Sequence, residues 1–133
     1  MDLEWKNKRN YRNVFAENGI SQKQIEQRLK EIEQTFFFEE GEKLYYPIGE
    51  DMAYITDTGN NDVRTEGMSY GMMLSVQLDR KEEFDRLWKW TKTYMWMDTG
   101  ENEGYFAWSC ALDGSKNANG AAPDGEEFFA MAL

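Results

Sequence analysis

The sequence has 133 residues, room for one ordinary domain. Twenty-five acidic side chains against fifteen basic ones leave a formal net charge of −10, which repels phosphate backbones and anionic lipid surfaces, so neither nucleic acid nor a membrane is an expected partner. Histidine is absent and cysteine occurs once, at Cys110, which excludes Ser-His-Asp and Cys-His nucleophile pairs, His-ligated zinc, intrachain disulfides and Cys-rich metal sites. Neither a metal nor another cofactor is expected, and chemistry falls to carboxylates, aided by five Trp, seven Tyr and eight Phe.

Met1 to Asn10 alternate charge with polarity and do not read as a signal peptide. The longest apolar runs, around Gly71 to Leu78 and Phe128 to Leu133, fall well short of the ~20 residues of a membrane span. With one unpaired thiol, these features lead to the expectation of a cytoplasmic protein. Residues 1–20 read as an N-terminal extension or loop. Ser21, then Ile25, Leu29, Ile32 and Phe36, mark the N-cap and apolar stripe of an amphipathic helix that Gly41 ends. Leu44 to Asn61, aromatic and then rich in Gly and Asp, is expected as a long loop holding at most a short hairpin. A second helix is predicted from Thr65 to Leu78 with Met68, Met72, Ser75 and Val76 facing inward, and Gly67, Ser69 and Gly71 permitting close approach of another backbone. A third runs from Lys81 to Met95 with Phe84, Leu87, Trp88 and Thr91 on one face. Gly100 to Gly120 reads as loop, with GYFAWSC a candidate strand. A fourth helix opens at Asp124 behind Pro123. Its apolar end, FFAMAL, stops without a cap, so the chain reads as the opening part of a single longer domain.

Glu66 and Asp124 each begin a helix and each precede a glycine, 58 positions apart with one return helix between them. That path brings both carboxylates to the same end of a helical assembly. Two readings stand. Either the pair lines a cleft fringed by aromatics, as sugar cleavage requires, or both acids simply complement helix dipoles. Asp-Thr-Gly occurs at Asp57 and again at Asp98, the triplet of an aspartic protease dyad, but turn chemistry explains both. Asp113, Ser115, Asn117 and Asn119 alternate as in a calcium loop, yet Ala118 stands where the glycine is required and Asp124 where glutamate is, so a turn-rich loop is expected. Met68, Met72 and Met73 read as core filling, and Trp88 and Trp90 point to different sides of their helix, so one should be buried. Tyr105, Phe106 and Trp108 sit among glycines, where a stacking platform competes with a core role.

The segments DVRTEGMSYGMM (62–73), GYFAWSC (104–110) and APDGEEFFAMAL (122–133) strongly resemble glycoside hydrolase family 8, and within it the branch that releases xylose from reducing ends of xylo-oligosaccharides. The likeness extends over nearly the whole chain. It implies an all-α fold, the opening helical hairpins of an (α/α)6 barrel, and an inverting hydrolase acting on β-1,4-linked xylo-oligosaccharides. The resemblance makes Glu66 the general acid, lets Asp124 bind and distort the central sugar, stacks Trp108 on a neighbouring unit, and brings Tyr105, Arg64 and Asp62 near the groove. It also implies a general base in a region beyond Leu133, so a chain of this length is expected to be inactive alone. Endo-acting xylanase, β-glucanase and chitosanase activities of the same family remain alternatives. So does a non-catalytic sugar-binding or assembly piece, self-associating through exposed inner helix faces.

Overall fold

The computed structural model describes residues 12–133, so the reading of Met1 to Asn10 lies outside the described residues. Within 12–20 the chain forms a one-turn helix, α1 (Val14–Glu17), started by Asn13, whose side-chain oxygen accepts the Ala16 N–H at 3.1 Å. Ser21 caps α2 (Gln22–Phe37) through a reciprocal capping box with Gln24. The expected hairpin follows as β1 (Tyr45–Ile48) and β2 (Met52–Ile55), antiparallel with Tyr45 opposite Ile55 and a positive-φ Gly49 in the turn. A second antiparallel pair joins β3 (Val63–Arg64) to β4 (Ser109–Cys110) across most of the remaining chain. The other helices are α3 (Thr65–Gln77), α4 (Lys81–Trp90) and α5 (Pro123–Ala132), with Pro123 in the first turn of α5, where its missing N–H costs nothing. Helix α4 continues as a π-type segment, Thr91–Met95, which carries the chain to the full length expected of the third helix.

Helix α3 packs on both α4 and α5, and β2 lies across α4. Met68, Met72, Leu87 and Trp90 are fully buried at this junction, each contributing about 1.5–3 kcal/mol by transfer from water. Gly71 makes the packing possible, since a Cβ there would stand 2.7 Å from Ile55 Cγ1 and 3.1 Å from Leu87 Cδ1. The close approach at Gly67 and Gly71 thus comes from a β2 side chain. Trp90 is buried while Trp88 stays half-buried, as the helical spacing requires.

The molecule is helix-rich, with two short antiparallel sheets beside the helices, and one expectation, an inward-facing Val76, needs correction. The stripe of α2 does not face a core. Leu29 and Ile32 are 52 % and 48 % exposed, since α2 meets β1 through its C-terminal end, where Phe36 and Phe37 reach the core. Together with Phe15 and Ile20 that stripe lines an open groove of about 300 Å3. Val76 is also exposed, because Met68, Met72 and Ser75 already define the inner face of α3 and the next residue turns about 100° away.

Candidate active site

The site is assembled from the N-termini of α3 and α5 and the loop between α4 and α5. The β3–β4 pairing runs directly into α3, and the Thr65 N–H donates to the Trp108 carbonyl at 3.0 Å. The Trp108 N–H in turn donates to the Gly120 carbonyl at 3.0 Å, so Trp108 is strung between the approaches to both helices. Gly125 then brings the helices into contact. A Cβ at that position would fall 2.5 Å from Thr65 Cβ and Oγ1 and 2.9 Å from the Thr65 carbonyl carbon. Thr65 Oγ1 is buried there without a hydrogen-bond partner.

This contact sets Glu66 and Asp124, in the first turns of α3 and α5, side by side on an exposed rim. The Glu66 and Asp124 side chains face each other within hydrogen-bonding reach, and this pairing is the main reason that Glu66 titrates above its ordinary value. Burial and the negative charges of Asp124 and Asp57 push in the same direction, while Arg64 opposes them. One turn further along each helix, Tyr70 and Phe128 meet edge to face at 5.2 Å, an aromatic pair beneath the acids that the sequence reading did not single out.

Arg64 extends from the end of β3 over the Trp108 ring, 5.4 Å from its centre, and Trp108 is 38 % exposed. The Asp62 carboxylate accepts from Arg64 Nε at 3.0 Å and, through its other oxygen, from Ser109 Oγ at 2.9 Å. Tyr105 is exposed and stands apart: its carbonyl accepts from the Met97 N–H, and among the described residues it has no hydrogen bond or ring contact with the acid pair. The structure therefore brings together Glu66, Asp124, Arg64 and Trp108 and leaves Tyr105 on the loop margin. Glu126, in the first turn of α5, accepts the Phe106 N–H at 2.8 Å and fastens the aromatic loop to α5. No local pattern marks that role, since the partner is a backbone amide twenty positions away.

The remaining motifs resolve into structure. Asp57 accepts from the Asn60 N–H at 2.7 Å, and Gly100 after the second Asp-Thr pair takes φ +94°, so both triplets are turns. Asp113 accepts from the Ser115 N–H at 2.9 Å in an Asx turn. Cys110 is buried and its thiol is pushed up to about 11 by desolvation, which keeps it protonated and poorly nucleophilic.

Two adjacent carboxyl groups, one of them titrating above its ordinary value, beside an exposed indole form an arrangement that can donate a proton to an oxygen of a bound sugar. The class of protein is that of the glycosyl hydrolases. The model of the glycosyl hydrolases family 8 matches residues 34–133, and the chain belongs to that family. It is 56 % identical over 126 residues to a reducing end xylose-releasing exo-oligoxylanase of Halalkalibacterium halodurans, covering 94 % of this chain and 32 % of that protein. It is 52 % identical over 120 residues to the enzyme of the same description from Bifidobacterium adolescentis, covering 90 % and 31 %. A crystal structure of a reducing-end-xylose releasing exo-oligoxylanase complexed with xylose superposes with a TM-score of 0.91 at 52 % identity, over 99 % of this chain and 35 % of that one. The chain thus spans about a third of the length of the relatives it matches.

Proposed function

We propose that this chain supplies the proton-donating wall of an inverting glycosidase that removes xylose from the reducing end of β-1,4-linked xylo-oligosaccharides. The observation that carries the reading is the placement of Glu66 and Asp124 side by side at the starts of two helices packed through Gly125 and Thr65, on a rim with the exposed Trp108. Glu66 is the general acid that protonates the departing glycosidic oxygen. Asp124 accepts hydroxyls of the central sugar once substrate displaces the carboxyl pairing, and Trp108 stacks on a neighbouring ring, with Arg64 and Tyr105 at the margins. An (α/α)6 barrel would complete the groove, and the general base, set about 6.5–9.5 Å from the acid in inverting enzymes, would come from outside these residues. The 133-residue chain alone would then bind rather than cleave. A cytoplasmic location belongs to the same proposal and leans on the single unpaired Cys110. Proton NMR of xylotriose digestion by a family-length enzyme carrying this chain tests it: free xylose with xylobiose appearing first as its α-anomer is expected. Xylobiose appearing first as the β-anomer, or random internal cleavage of longer oligomers without xylose, contradicts it.

A further inference from the structure

Arg64 precedes Glu66 by two positions, and a guanidinium free to pair with that carboxylate would favour its ionised form. The structure directs the guanidinium elsewhere. Asp62 Oδ1 accepts from Arg64 Nε at 3.0 Å, Asp57 Oδ1 stands 3.9 Å from the Arg64 terminal nitrogen, and the Trp108 ring lies beneath. Asp62 is fixed from its other side, where Ser109 Oγ donates to Oδ2 at 2.9 Å and itself accepts from Asn117 Nδ2 at 3.0 Å. Because this relay crosses the β3–β4 pairing, Asp62 keeps one orientation relative to the start of α3.

We propose that Asp62 is a positioning residue that holds the Arg64 guanidinium against Trp108 and away from the Glu66 carboxyl. The proposal deepens the reading of Glu66 as proton donor and rests on it. Three groups face that carboxyl electrostatically: Asp124 from α5, Arg64 from β3 and Asp57 from the turn after β2. With the only cation among them engaged by Asp62 and Asp57, the raising influences outweigh it and Glu66 titrates above its ordinary value. The same placement sets a cation over the Trp108 ring, which keeps 38 % of its surface exposed.

Carbon-detected NMR of side-chain carboxyls in the 133-residue chain, with the Glu66 signal assigned by its loss in Glu66→Gln, reads the effect directly. Asp62→Ala is expected to lower the Glu66 titration midpoint by about half a pH unit or more, because the freed guanidinium can reach it. The same substitution made in Arg64→Gln should leave the midpoint nearly unmoved. An equal fall in both backgrounds would mean that Asp62 acts as a bare charge, and no fall in either would mean that Arg64 is not diverted; each overturns the proposal. Arg64→Gln alone keeps the Asp62–Ser109 pairing and gives a reading that does not depend on the Asp62 variant folding. A small rise is expected, and a rise of more than about one pH unit overturns the proposal. Failure of the donor reading would show separately, as undiminished turnover by Glu66→Gln in a family-length enzyme.

Discussion

At Glu66 two influences oppose each other, and their balance decides whether the group can serve as an acid. The pairing with Asp124, partial burial and the nearby negative charge raise the value at which the carboxyl titrates, and Arg64 pulls the other way. Asp124→Ala removes the hydrogen-bond acceptor and a repelling charge together. Its expected consequence is a Glu66 midpoint shifted downward, so that the alkaline limb of the pH–rate profile of the complete enzyme moves to lower pH; an unmoved limb would mean that another group sets it. The linkage to stability has a definite sign. A carboxyl whose folded value is raised binds its proton more tightly in the native state, so the native state loses stability as pH rises through that value. Glu66→Gln abolishes the titration. It should unfold at a higher temperature than the wild type near pH 7, while near pH 4, where Glu66 is largely protonated, the difference should shrink. Thermal melts by circular dichroism at both pH values check this.

Among the elements, the contact between α3 and α5 matters most, since it alone puts the two acids together. Gly125→Ala would drive a methyl group into Thr65, 2.5 Å from its Cβ and 2.9 Å from its backbone. Because backbone cannot move aside as a flexible side chain can, a loss of about 1–3 kcal/mol is expected from denaturant unfolding, together with a separated carboxylate pair and a Glu66 midpoint nearer its ordinary value. Much of this layout was legible in the sequence. Ser21 with Gln24, Pro123 before Asp124, and the glycines beside both acids are local signals with a mechanism, and the helix–return–helix path placed Glu66 and Asp124 at one end. The two-residue strands β3 and β4 were not fully legible. Their pairing joins segments 45 or more positions apart and leaves no periodic trace, so the anchoring roles of Asp62, Ser109 and Glu126 emerged only in three dimensions. The stripe of α2 shows the opposite limit. Its spacing is helical and amphipathic, but spacing cannot say what lies on the apolar side.

Among the described residues, exposed apolar groups include Phe15, Leu29 and Ile32 along α1 and α2, and Met131 with Leu133 at the end of α5, the last two more than two-thirds exposed. Patches of this kind favour association, while the net charge of −10 opposes it. Self-association that strengthens as salt screens the charge is therefore expected in sedimentation velocity, and a clean monomer at both low and high salt would contradict it. No helix among the described residues is long and apolar enough to cross a membrane. The central claim is that Glu66 hands its proton to a departing sugar oxygen, and leaving-group dependence tests it most directly. In a family-length enzyme carrying this chain, Glu66→Gln should lose about 10²–10⁴-fold in kcat on xylotriose, yet retain near-wild-type rates on a xylobiosyl fluoride, whose leaving group needs no proton. Equal losses on both substrates, or no loss on xylotriose, would contradict the claim.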